Sequence, residues 1–507
     1  MSAKTLAAEG AGPRHTPLVF RPRTIVLASL VASVALAAVG SIGEVCLGDE
    51  CAHVRHVRTY MQTGRRVPYD PRFADYHPRA VPFSGTPLWH AGLAVLWKLA
   101  GETPQVLAQA YHAGFYLLLL LSVYFGARRA WGAPEAGWAW LLAATLPVVC
   151  AYSVLLYQDV PGVALTALGL LLLWRGNYLT CGAALAGAYL TKMNALSWAP
   201  WAVGFAAWAA GRPWRRRVWA AAQVALPVAA AFGYDMAWRA GVYENLMGYA
   251  SPPDSGVTVG GVRVLEAHPS GYVRWKPYPV QDLTSIVSHL GPFLLAGAVL
   301  ALFRCRGRMS AWLWGALALA LAGFAAIFVP RASTQVRYLL PAALALVYLA
   351  GRALGPLRLP GWAKAAVVAG CVVQAAAATG FVAAKRRIAP EEEAGYAWIR
   401  RHTPADARVL FPEQLLTNRT GRVYIWGAAN PSYLLTEATD RQRRVAMRAL
   451  GITHVAVPLR RVYDREAEGT HAGGYPRDFV EALPDLPDFE RVYANPRFRV
   501  YRFVDSR

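Results

Sequence analysis

Cysteine is scarce in this chain: six among 507 residues do not make a disulfide framework. Acid is scarce as well, with 30 Asp and Glu against 52 Lys and Arg and a formal net charge of +22. No clear internal repeat is visible, and repeats or paired broken helices are what many transporters show. Lipidation and retrieval signals are also missing. What is abundant is apolar surface, since 55% of the residues are hydrophobic. Apolar runs of roughly 18 to 22 residues recur from residue 24 to residue 384, each long enough to cross a bilayer. The chain is therefore expected to be a polytopic α-helical membrane protein.

A charge of +22 in a soluble chain would invite a nucleic-acid partner, but its distribution argues against one. Much of it sits in short clusters between apolar runs: Arg21 and Arg23; Arg128 and Arg129; Arg212, Arg215, Arg216 and Arg217; Arg304, Arg306 and Arg308; Arg352, Arg358 and Lys364. Such clusters mark cytoplasmic loops. They fit about eleven spans, near 24–43, 106–126, 135–155, 159–174, 178–191, 194–211, 217–238, 284–303, 310–329, 337–351 and 363–384. A cytoplasmic tail of residues 1–23 precedes them, and the first span reads as an uncleaved signal anchor. The short pair 159–174 and 178–191 could also be one re-entrant unit, which leaves the parity unchanged. Residues 87–101 tempt a further span, but counting it would move Arg128 and Arg129 outside. That segment is short and carries His90 and Lys98, so it is expected as a helix on or dipping into the outer surface.

On this topology the first outer loop, 44–105, opens on Asp49 and Glu50. A carboxylate at a membrane surface is costly unless it has a task. Cys46 and Cys51 flank the pair, where an oxidising compartment permits a bridge. A second outer loop, 239–283, carries Tyr249, Tyr272, Trp275 and Tyr278, as sugar-stacking platforms or as an interfacial aromatic cluster. Asp235 stands inside a span and should face the bundle interior, with Arg239 one turn away. Residues 385–507 change character, with charge, proline and aromatics, and read as an extracytoplasmic α/β domain. The sequon Asn418-Arg419-Thr420 is a frequent chance match.

The loop sequences GDECAHVRHVRTYMQTG and SGTPLWHAGLAVLWKLAG, with QDVPG, AYLTKMNAL and VRYLLPAALAL, resemble the GT-C glycosyltransferases. The likeness is to the protein O-mannosyltransferase clan and its bacterial relatives that modify lipid A and other envelope glycans, over residues 24–351. Residues 24–384 would then be the catalytic membrane domain, in the plasma membrane. The resemblance implies transfer of a sugar from a polyprenyl-phosphate donor to a lipid, glycan or protein acceptor, without a cofactor. A lipid phosphate leaves without a proton donor, so one base and a few cations suffice.

Asp49 matches the family's acidic residue and is the expected general base; read from the residues alone, it could cap the helix beginning near Cys51. Glu50 would bind sugar or sit in the first turn, where negative charge is favourable. Asp159 matches the second acidic position, with helix capping as the plain alternative and Pro161 in the first turn. Lys192 matches a basic position of the family and suits a lipid phosphate, and Arg337, which opens a later span from the outer side with Tyr338, can give bidentate contacts to phosphate oxygens. Their plain readings are a snorkelling lysine and an interfacial arginine with a belt tyrosine. One departure is Gly85, Thr86 and Pro87, where relatives often carry a basic residue before two prolines. Lys192, Arg337, His90 or Arg79 would have to supply that cation. His53 and His56, with the two acids, raise a metal site, which the resemblance to metal-independent enzymes opposes. A transporter or flippase of a lipid-linked sugar, or an inactive sugar- or lipid-binding relative, is the competing class.

Overall fold

The computed structural model describes residues 21–42, 50–66, 87–101, 103–242, 257–259, 262–267, 286–328, 336–411, 415–425, 429–430, 444–445, 447–448, 451–463 and 475–504. Asp49, Cys46, Arg79, Gly85, Thr86 and the aromatics Tyr249, Tyr272, Trp275 and Tyr278 lie outside the described residues. The chain is mostly helical, with helix in every one of the eleven expected apolar segments. Among the described residues four helices are long and apolar enough to cross a membrane, or five with one bent pair taken as a single span.

That bent pair departs from expectation. Segment 135–155 is not one straight helix but α5 (Ala133–Thr145) and α6 (Pro147–Val154), bent by 51°. The cause is local: Pro147 lacks an N–H and pushes Leu146 out of the helical region, to φ −63° and ψ 116°. Segment 194–211 likewise splits into a 3-10 turn, Met193–Trp198, and the helix Ala199–Ala209. The short pair is two separate helices, α7 (Asp159–Trp174) and α8 (Tyr178–Thr191). Between them Gly176, at φ 81°, closes α7 by donating to Leu173 while Asn177 donates to Leu172. This paired C-cap needs a left-handed residue, which glycine adopts without strain.

Helix α1 (Pro22–Ser41) packs on α4 (Gln105–Ala130), and α4 on α7, so the bundle core is continuous from Ile25 to Tyr348. Outside it, α2 (Glu50–Thr63) and α3 (Leu88–Ala100) make a smaller apolar cluster from Val54, Val57, Trp89, Leu93 and Trp97, closed by Leu156. The segment expected on the outer surface is α3, which buries that face and exposes Val95 and Leu99.

The C-terminal sheet has five strands in the order Val423–Ile425, Arg408–Leu410, Ile452–Pro458, Phe498–Phe503, Phe489–Ala494. The first two pairings are parallel and the last two antiparallel. Helix Pro390–His402 covers the sheet, with Tyr396 and Ile399 in a core that also receives Cys51 from α2. Strand Val262–Ala267, within segment 239–283, pairs with Ala429–Asn430. Cys51 is disulfide-bonded, whereas Cys150, Cys181, Cys305 and Cys371 are free and buried. Thr420 of the sequon is buried and donates to the Leu416 carbonyl, so its hydroxyl is committed within its own helix.

Candidate functional site at the α6–α7 turn

Four consecutive residues, three in the α6–α7 turn and the first of α7, organise the site. Leu156 donates its backbone N–H to Glu50 Oε1 at 2.9 Å. The Tyr157 and His53 rings meet in a T-shaped arrangement, with centroids 5.4 Å apart, and the Arg337 guanidinium lies 4.9 Å from the Tyr157 ring centroid. Gln158 Nε2 is 3.0 Å from His90 Nδ1. Asp159 holds Lys192, with Nζ 3.2 Å from Oδ1 and 3.3 Å from Oδ2. The short helix α6 ends where the proline bend has brought this turn against α2, which explains why one turn reaches so many partners.

Of the residues singled out in the sequence, Glu50, His90, Asp159, Lys192, Arg337 and Tyr338 meet at or beside this turn, whereas Asp235 and Arg239 lie in a cluster of their own. Glu50 is fully buried and shared between the Leu156 N–H and the guanidinium of Arg386, which also donates to the Gly40 carbonyl. Glu50 is thus held by protein partners. Lys192 points its ammonium toward the Tyr338 ring at 5.2 Å, and Arg337 donates to the Tyr338 hydroxyl at 3.2 Å. The capping role open to Asp159 is not the one its carboxylate plays: Gln158 is the N-cap, no side chain caps α7, and Asp159 faces Lys192.

His53, His56 and His90 also gather, with His53 Nδ1 3.0 Å from His90 Nε2 and the His56 and His90 rings 5.9 Å apart. Burial, and then His90, hold His53 well below the usual histidine range; Lys192, Arg337 and His56 add to the effect. His56 is lowered by burial, His90 and Arg55. Among the described residues no group of three or more His, Cys, Asp or Glu side chains is arranged to hold a metal ion.

Asp235 pairs with Arg239 as expected, Nε to Oδ2 at 2.8 Å. It also accepts from the Tyr189 hydroxyl at 2.7 Å and faces Arg66, 2.7 Å away, which stacks over Trp238. Arg66, Tyr157, Gln158 and Arg386 were not singled out in the sequence. Arg386 lies in a run of three basic residues that reads like any topogenic cluster, while Gln158 was visible only as the neighbour of Asp159.

Gly162, one turn into α7, makes room for Lys192. A Cβ on Gly162 would lie 2.9 Å from Lys192 Cβ. Alanine in an open helix position gains about 1 kcal/mol over glycine, but here overpacking costs about 1–3 kcal/mol and pushes Lys192 off Asp159. Gly162→Ala is expected to lower the unfolding midpoint, whereas Gly114→Ala in α4, with nothing within 4 Å, is not. Parallel thermal unfolding of the two variants checks this.

No family model matches the chain, and no curated protein sequence does. Its fold is that of the GT-C glycosyltransferases. Apo ArnT from Cupriavidus metallidurans superposes at a TM-score of 0.61 and 14% identity, over 94% of this chain and 97% of that one. The same protein bound to undecaprenyl phosphate gives 0.55 over 95% and 98%, at 14% identity. The apo Archaeoglobus fulgidus oligosaccharyltransferase gives 0.55 at 14% identity, over 86% of this chain and 69% of that one. The mycobacterial arabinofuranosyltransferase AftD gives 0.54 at 15% identity over 96% of this chain but 42% of its own length.

Proposed function

We propose that this protein is a membrane glycosyltransferase that moves a sugar from a polyprenyl-phosphate donor to an acceptor on the extracytoplasmic face. The observation that carries the reading is the pair of cations, Lys192 and Arg337, gathered around Tyr157, Asp159 and Tyr338 in a fold shared with a protein that binds undecaprenyl phosphate. Two cations and aromatic faces suit a lipid phosphate, which departs once its charge is stabilised. Asp49 is the base that deprotonates the acceptor, and attack opposite the phosphate inverts the anomeric carbon. The eleven spans, with the N-terminus cytoplasmic and the C-terminal sheet over the outer mouth, complete the reading.

Lys192 is shared with Asp159 in the free protein, so an arriving phosphate competes with one carboxylate for it. The test uses membranes containing the full chain and a panel of radiolabelled polyprenyl-phosphate sugars. Transfer or hydrolysis of one of them is expected. Binding without turnover of any donor would overturn the transferase reading in favour of a transporter or an inactive relative.

A further inference from the structure

We infer that Gln109 and His112 of α4 are positioning residues for the phosphate site, fixing the end of α6 from which residues 156–159 depart. The inference rests on the phosphate reading above and adds to it two residues that act through the backbone.

A break in a membrane-spanning segment frees backbone carbonyls in a place where lipid offers no donor. Helix α6 is bounded by two such breaks, Pro147 at its start and Leu155 at its end, where the chain turns extended at φ −89° and ψ 140°. One face of α4 answers both. Before Pro147, the Tyr116 hydroxyl donates to the Ala144 carbonyl at 2.8 Å. At the other end, His112 Nε2 is 2.8 Å from the Tyr152 carbonyl oxygen and Gln109 Nε2 is 3.2 Å from that of Val154. A carbonyl only accepts, so His112 carries a proton on Nε2 and donates it. Positions 109, 112 and 116 share one side of α4 through the helical repeat.

The two bonds at the end of α6 differ from the one at its start in what they are joined to. Gln109 and His112 are fully buried. The Val154 carbonyl they help to hold is followed directly by the turn whose Leu156 N–H donates to Glu50, whose Tyr157 ring faces Arg337 and whose Asp159 holds Lys192. A shift of the α6 end therefore moves the partners of both cations together. A bond that only satisfies a carbonyl, such as that of Tyr116, stabilises the bundle without setting this geometry.

The test measures undecaprenyl phosphate affinity and the thermal midpoint of the full chain in detergent for wild type, Gln109→Met, His112→Phe, His112→Gln and Tyr116→Phe. His112→Phe keeps a ring in T-shaped contact with Trp89, where the centroids are 6.1 Å apart, and removes the donor. His112→Phe and Gln109→Met should each bind about tenfold more weakly, a loss equivalent to one hydrogen bond. His112→Gln, whose amide nitrogen reaches the Nε2 position, should recover to within about threefold of wild type. Tyr116→Phe removes a bond of the same kind at the far end of α6, so it should lower the thermal midpoint as the others do yet bind within about threefold of wild type. Should His112→Phe not fold, His112→Asn, whose amide falls short of the Nε2 position, takes its place with the same expected loss. Wild-type affinity in His112→Phe or Gln109→Met, or an equal loss in Tyr116→Phe, overturns this inference and leaves the phosphate reading standing. Failure of the wild type to bind overturns both.

Discussion

Asp49→Asn is expected to reduce sugar transfer by about 10²- to 10⁴-fold while leaving donor binding within about threefold, the range that loss of a positioned general base produces. Asp49 is the proposed base from its likeness to the family's acidic position. Of the three acids proposed for the site, Glu50 is held by Arg386 and the Leu156 N–H, and Asp159 by Lys192. A carboxylate engaged by a cation must give up that partner before it can take a proton from the acceptor. Neither paired acid is therefore well placed to accept the acceptor's proton. Asparagine keeps the size and most of the hydrogen-bonding capacity of aspartate, so loss of turnover with binding retained isolates the base. Equal turnover in both forms would move that role to Asp159, whose pair with Lys192 would then have to open in the donor complex.

The bundle was legible because its signals are repetitive. Apolar length and flanking arginines recur for each segment, and every expected segment carries helix. The C-terminal strands fall in short runs rich in Val, Tyr and Phe, such as Ile452–Pro458 and Phe498–Phe503, within the segment read as an α/β domain. What periodicity could not show is how segments break. Pro147 was in plain sight, yet a proline in an apolar run signals a kink without saying which residues it will bring together. Here it presents residues 156–159 to α2 and α3. The candidate site was read as single residues, and Glu50, His90, Asp159, Lys192, Arg337 and Tyr338 lie around one turn. Their partners were not legible, since Gln158 and Arg386 meet His90 and Glu50 across 68 and 336 residues of chain. Such pairing is a product of the fold, and no local spacing carries it.

Arg386→Met is expected to cost about 3–5 kcal/mol of stability, because it removes one partner of a fully buried ion pair with Glu50. Both side chains of the pair are fully buried, at the place where the last turn of α1, the first turn of α2, the α6–α7 turn and the end of the helix Gly361–Lys385 meet. Arg386 spans two acceptors at once, the Gly40 carbonyl and the Glu50 carboxylate, which a planar guanidinium can do and an ammonium does poorly. Arg386→Lys should therefore retain only part of the stability. Glu50→Gln should be nearly as damaging as Arg386→Met, since it leaves the arginine charge without its carboxylate. The double variant Glu50→Gln with Arg386→Met should lose less than the two single losses added together, because no charge is left behind. Denaturant midpoints of the four full-length proteins measure this cycle, and single variants within about 0.5 kcal/mol of wild type would show the pair to be incidental. Turnover should fall along with stability in Arg386→Met, because the residue before Glu50 is the proposed base and the ion pair fixes the start of α2.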